Sequence, residues 1–117
     1  MNPLTGEKLD ANMLGLVRVA SEGLGASQVA LLQQASVARI VTSTATMIDV
    51  EVPSGLPAVD VPNGPLPGQN LVIKNDELAG EVIVWVRGGL FIGVEQSWYT
   101  DTPPTSWPHP AEIERSV

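Results

Sequence analysis

The side chains able to do chemistry in this sequence are few. There is one histidine, His109, and no cysteine, which excludes thiolate nucleophiles, Cys-ligated zinc, iron–sulfur clusters and any multi-histidine metal centre. His109 sits between Pro108 and Pro110, a setting that restricts its backbone and leaves its ring at the surface. As a general base it would need an orienting carboxylate, and Asp101 stands eight residues before it and Glu112 three after. No serine or threonine stands in a pattern that marks an activated nucleophile, so a solvated surface histidine is the plainer reading. An acidic calcium loop is missing as well. No catalytic residue, cofactor or metal site is therefore assigned.

Four carboxylates fall in extended segments: Asp49, Glu51, Glu81 and Glu95. A pair facing one another across ~5 to 9 Å would suit glycosidase-type acid/base work. The spacing speaks against it, because Asp49 and Glu51 share the outward side of an amphipathic strand and Glu81 is expected opposite Gln96. Glu95 differs. It is expected on a valine-rich face opposite Val82, where a carboxylate needs a partner such as Arg39, Arg87 or a backbone donor; a structural ion pair or hydrogen-bonded acid is the first reading, with solvent exposure and a binding role as the alternatives.

Residues 98–110 concentrate Trp98, Tyr99, Asp101, Trp107 and His109 among four prolines, and aromatics on a stiff chain are good material for recognition. The candidate binding surface is accordingly Glu95, Tyr99, Asp101, Trp107 and His109. Trp98 continues the alternation of Leu90, Ile92 and Val94 into the core, and Tyr99 points the other way. Neither Pro103 nor Pro104 starts a PxxP motif, since Ser106 and Trp107 stand three positions on, so an SH3-type ligand is not expected.

The elements that must position these residues follow from periodicity. Over residues 7–25, Leu9, Met13, Leu16, Val17, Ala20 and Leu24 recur at steps of three and four, which predicts a helix ended by Gly23-Leu24-Gly25. Gly23-x-Gly25 has no strand before it and no Lys-Ser/Thr after it, so it reads as a helix stop and not as a phosphate cradle. Ser27 is expected to cap a second helix to about residue 34, with Val29, Leu31 and Leu32 as its apolar residues.

The period then changes to two, over residues 37–43 and 47–52, which predicts a half-buried hairpin. Residues 53–68 hold five prolines and three glycines and read as a long loop. Further strands are expected at 71–74, 80–87 and 90–99, the last two joined by Gly88-Gly89. With a two-residue turn, Arg87 opposes Leu90, so Trp85 would pair with Ile92 and Ile83 with Val94 as the core face. The other face, with Val82, Val84, Val86 and Phe91, would need cover from the proline loop, from the tail or from a second copy of the chain. The fold class is α+β: an N-terminal αα-hairpin packed on an antiparallel β-meander of about five strands. It reads as one domain over 1–117, with a Pro/Gly-rich loop at 53–68 and a Pro-rich tail at 102–117.

From about residue 29 to 108 the chain resembles a group of small uncharacterised actinobacterial proteins in which two short helices precede a β-meander. The resemblance rests on Ile48-Asp49-Val50-Glu51-Val52, on Gly80-Glu81-Val82-Ile83-Val84-Trp85-Val86 followed by Gly89-Leu90-Phe91-Ile92-Gly93-Val94-Glu95, and on Trp98-Tyr99-Thr100-Asp101-Thr102-Pro103-Pro104-Thr105-Ser106-Trp107-Pro108. It implies a fold and no activity. Many members carry a cysteine–glycine alternation in the first hairpin, where this chain has Val41-Thr42-Ser43-Thr44-Ala45-Thr46, so no thiol or metal role transfers.

The composition bounds the function. The chain has 117 residues, 44% of them hydrophobic and 16% charged, with a net charge of -7, a balance too apolar for disorder and too acidic to wrap nucleic acid. The start of the chain lacks a secretory leader pattern and no apolar run approaches the ~20 residues that span a bilayer, so a cytoplasmic protein without membrane contact is expected. The leading expectation is a non-catalytic protein-binding module, with immunity- or antitoxin-like neutralisation of a basic partner as one version and a homodimer through the sheet as a further partner. The alternative is a small-molecule-binding protein or enzyme with a pocket between the sheet and the 53–68 loop, using Glu95, Tyr99 and Asp101.

Overall fold

Asp10 sets the start of the first helix. Its carboxylate accepts a hydrogen bond from the Met13 amide at 2.8 Å, and α1 runs Ala11–Ala20, shorter than the expected 7–25. The residues before the cap are extended instead: the Glu7 carbonyl accepts from the Ile40 amide at 2.8 Å, and Lys8 bridges Arg39. The computed structural model describes residues 6–116, so the reading of the first five residues as lacking a leader lies outside the described part. The second helix, α2, spans Ala26–Val37 with Gly25 at its N-cap and no side-chain cap. Ser27 is thus not the cap, and its hydroxyl donates to the Asp60 carbonyl.

Seven strands follow: β1 Arg39–Ser43, β2 Met47–Glu51, β3 Gly64–Pro65, β4 Gln69–Lys74, β5 Glu77–Arg87, β6 Leu90–Trp98 and β7 Ile113–Ser116. They form one antiparallel sheet in the order β1-β2-β6-β5-β4-β7, with β3 paired beside β4 along β5. The α+β class with an N-terminal helix pair stands, and the strands exceed the expected five by β3 and β7. Both arise where periodicity is silent. β3 is two residues inside the proline loop, and β7 follows a 3₁₀ turn at Pro110–Glu112 in the tail.

The β5–β6 hairpin turns on Gly88 and Gly89 with φ of 59° and 75°, the left-handed pair a two-residue type I′ turn requires. Arg87 opposes Leu90 and Val86 opposes Phe91, but Trp85 then opposes Gly93, so Ile92 is an extra residue bulged out of β6. That insertion moves every later pairing by one: Val84 faces Val94, Val82 faces Gln96, and Ile83 faces Glu95. Val94 therefore shares the side of Val82, Val84 and Val86, and the expected core face of Ile83, Trp85, Ile92 and Val94 is not formed.

Val82, Val84, Val86, Phe91 and Val94 are buried beneath the helices, against Leu16, Val17 and Leu31. Ile83, Trp85 and Ile92 are only half-buried and lie outside the core cluster. On β6 the bulge moves Val94 to the valine side and Glu95 to the other; on β5 alternation separates Val82, Val84 and Val86 from Ile83 and Trp85 without saying which side the helices cover. Val59 and Leu66 from the 53–68 loop are buried in the same core, so the loop helps to close the valine face within one chain. Trp98, expected in the core, is 42% exposed, because it stands at the last pair of β6, opposite Gly80, past the end of the helix layer.

Candidate functional site

One face of the sheet carries the helices, and the other is left open. On β5 the open side presents Glu81, Ile83, Trp85 and Arg87, in alternation with the buried valines. Cross-strand pairing extends this into rows. One runs Met47, Glu95, Ile83 across β2, β6 and β5; the next runs Asp49, Gly93, Trp85; a third runs Ser97, Glu81, Leu71, Glu114 across β6, β5, β4 and β7. The result is a half-buried stripe of Leu71, Ile83 and Trp85 with carboxylates on either side.

Glu95 belongs to this open face and not to the valine face, a correction that follows from the Ile92 bulge. Its partner is neither arginine: Trp85 Nε1 donates to Glu95 Oε1 at 3.0 Å, which fixes the indole on the surface of the sheet. Glu81 stands opposite Ser97, one position from the expected Gln96. Asp49 is held by the Thr42 hydroxyl, which donates to its Oδ2 at 2.6 Å.

The other members of the expected binding surface are not gathered around Glu95. After Trp98 the chain leaves the sheet and straps its end on the helix side. Gln96 Nε2 donates to the Ser106 and Ala45 carbonyls, and Asn12 Nδ2 donates to the Pro108 carbonyl at 3.0 Å. Trp107 is half-buried against the core and its indole N–H donates to the Thr44 carbonyl, so it anchors the strap to the β1–β2 turn. Tyr99 and Asp101 are exposed on the outer part of the strap.

His109 caps the 3₁₀ turn. Its Nδ1 accepts from the Ala111 amide at 3.0 Å, and its own amide donates to Glu112 Oε1 at 2.8 Å. The neighbouring carboxylate thus serves the backbone of His109 and not its ring, and the acceptor nitrogen is occupied.

Two concavities test the pocket reading. A cleft of about 340 Å³ between the sheet end and the strap is lined by Trp98, Thr100, Pro104 and Ser106, with Lys74 as the only titratable group in its lining. A smaller one of about 170 Å³ lies where the 53–68 loop meets the sheet, at Pro65, Leu66, Asn70 and Glu81, and Glu95, Tyr99 and Asp101 do not line it. Among the described residues no three of His, Cys, Asp or Glu come together to hold a metal ion, and no helix is long and apolar enough to cross a membrane.

Three polar residues that the sequence reading passed over organise the scaffold. Gln34, fully buried on α2, accepts from the Phe91 amide at 2.8 Å and donates to the Pro57 and Gly89 carbonyls, both at 2.9 Å. Gln96 does the same for the strap. Arg115 on β7 donates to the carbonyls of Glu22 and Pro67 and to Asn70 Oδ1, tying the end of α1, the proline loop and β4 together. Burial pushes its guanidinium below the ordinary arginine value, and the charge of Glu22 acts in the opposite direction. One signal was readable: Gln34 falls at helical spacing from Ala30 and Leu31, and Gln96 continues the alternation of the buried Val94.

Against protein-family models, curated proteins and solved structures the chain finds no match, so the site is read from its own geometry.

Proposed function

We propose that this chain is a non-catalytic binding module that docks another protein on its open sheet face. The observation that carries this reading is the half-buried stripe of Leu71, Ile83 and Trp85, bordered by carboxylates, lying on the side away from the helices and flanked by the 53–68 loop where Pro65 pairs with Trp85. A surface of this make-up suits an apolar contact with a charged rim. Neutralisation of a basic partner in the cytoplasm, in the manner of an immunity protein or antitoxin, is the version that the net charge of -7 favours. A small-molecule pocket at the 53–68 loop has less support, because the concavity there is only about 170 Å³ and Glu95, Tyr99 and Asp101 do not line it.

The test is site-specific photo-crosslinking in the native host. With p-benzoyl-phenylalanine in place of Ile83, one protein should be captured in stoichiometric yield. The same group in place of Val29, which is 59% exposed on a helix, should capture none. Capture from position 29 alone, or a retained metabolite with no crosslinked protein at either position, would overturn the reading.

A further inference from the structure

The strap and the sheet end enclose a cleft in which the open face takes no part: Leu71, Ile83 and Trp85 do not line it. Its volume of about 340 Å³ lies within the range of small-ligand sites. The strap is tied down at both ends. The Tyr99 amide donates to the Ala79 carbonyl at 3.0 Å, and Gln96 Nε2 holds the Ser106 carbonyl at 2.9 Å, so the cleft is formed before any ligand arrives.

Gln96 presents an acceptor to this space. Its side chain is 5% exposed, and Nε2 commits both its protons, to the Ala45 and Ser106 carbonyls. Those bonds fix the orientation of the amide, and among the described residues no donor reaches Oε1. Every enclosed side-chain nitrogen or oxygen there has a partner, so this oxygen meets open space, and Gln96 lines the cleft. An acceptor held in this way calls for an O–H or N–H of a ligand.

Lys74 is the only charged group in the lining. In a chain of net charge -7, a cleft whose single charge is a cation draws anions locally. One ammonium with no arginine beside it suits a carboxylate, whereas phosphate sites use guanidinium forks or clustered backbone amides. The register separates the two polar groups. Val72, Gly80 and Trp98 form one row across β4, β5 and β6, and Lys74 and Gln96 stand on opposite sides of it, as their partners Glu77 and Val82 on β5 show. Between them Gly80 brings no side chain to the floor, the Trp98 indole forms a wall, and Pro103 and Pro104 face it from the strap.

The geometry points to a second binding site, for a small aromatic carboxylate with a hydroxyl at its far end. The Lys74 ammonium donates to the carboxylate, the ring lies against Trp98 over Gly80, and the hydroxyl donates to Gln96 Oε1. A neutral hydroxyl fits this end better than an ammonium, since a second cation in the cleft would oppose Lys74.

Para-hydroxybenzoate is the probe, titrated into the isotope-labelled full chain and followed by the three indole N–H resonances. A ligand of this size in a half-open cleft binds at roughly 0.1 to 5 mM. The Trp98 signal should move saturably while those of Trp85 and Trp107 stay. Two analogues separate the ends of the site. Benzoate, which lacks the hydroxyl, and para-hydroxybenzamide, which lacks the charge, should each bind about threefold to tenfold more weakly. Lys74→Met should weaken para-hydroxybenzoate by the same factor and leave the benzamide unchanged, so that the variant binds the two alike. A wild-type-like amide spectrum shows that the variant is folded.

Equal movement of all three indoles, or none at Trp98, would overturn the inference, as would benzoate binding as tightly as para-hydroxybenzoate. Inorganic phosphate that moves Trp98 at lower concentration than para-hydroxybenzoate would overturn it too, since the cleft would then take an anion without the aromatic body. The two readings fail separately: a protein captured from position 83 with Trp98 unmoved removes the cleft ligand and keeps the module, while a Trp98 titration without any captured protein does the reverse.

Discussion

Gln34 satisfies three backbone groups with one side chain, and those groups lie 23, 55 and 57 residues away in the sequence. Its place among apolar residues of a helix was legible, but its partners were not, because no local pattern encodes a contact over such separations. Replacing it with leucine fills the volume and leaves the Phe91 amide and two carbonyls without their partner. Gln34→Leu should cost about 2 to 4 kcal/mol in urea denaturation, and a loss below about 1 kcal/mol would mean that water takes over the amide's bonds. The aromatics offer a sharper comparison. Phe91 is 1% exposed and Trp85 is half-buried on the open face, so Phe91→Ala should cost about 3 to 5 kcal/mol and Trp85→Ala about 1 to 2. The reverse order of losses would place the core on the other side of the sheet.

Elements with a clear period were legible, and which side they bury was not. Strands β2, β5 and β6 and the two-glycine turn stand close to where alternation puts them, yet the single bulge at Ile92 exchanged the faces beyond it. A bulge leaves no signature in a run of apolar residues such as Leu90 to Val94. Helix α1 was over-extended for a comparable reason, since apolar spacing continues through Leu9 and Leu24 while the caps stop the helix at Asp10 and Ser21.

Gly15 in the middle of α1 shows how a tertiary contact outweighs propensity. Alanine there gains about 1 kcal/mol of helix preference, but its Cβ would lie 2.6 Å from Pro110 Cγ, and the proline ring cannot bend away. Overpacking of this kind costs about 1 to 3 kcal/mol. Gly15→Ala should therefore fail to stabilise the protein and should speed amide exchange over residues 110–116. A gain near 1 kcal/mol with unchanged exchange would show that the 3₁₀ turn is not seated on α1.

At the scale of the molecule the sheet is built from two separately connected parts. The β1–β2 hairpin arrives early in the sequence, the β4–β5–β6 meander late, and they meet along β2 and β6. Register pairing there covers three positions, Met47 with Glu95, Ile48 with Val94 and Asp49 with Gly93, extended by the bond from the Gln96 amide to the Thr46 carbonyl. A seam this short is where partial opening is least costly, so amides of the hairpin should exchange faster than those of β5. Hydrogen exchange with mass detection checks this, and uniform protection across β1, β2 and β5 would refute it.

The row of Asp49, Gly93 and Trp85 crosses that same seam. Whatever grips Asp49 on one part and Trp85 on the other must hold the two together, and the closed sheet gains the free energy of that grip by mass action, about 2.7 kcal/mol at a hundredfold excess over the dissociation constant. Occupancy of the face would then be reported on the opposite side of the sheet, as slowed exchange through the edge of the hairpin at Ile40, whose side chain packs against the core.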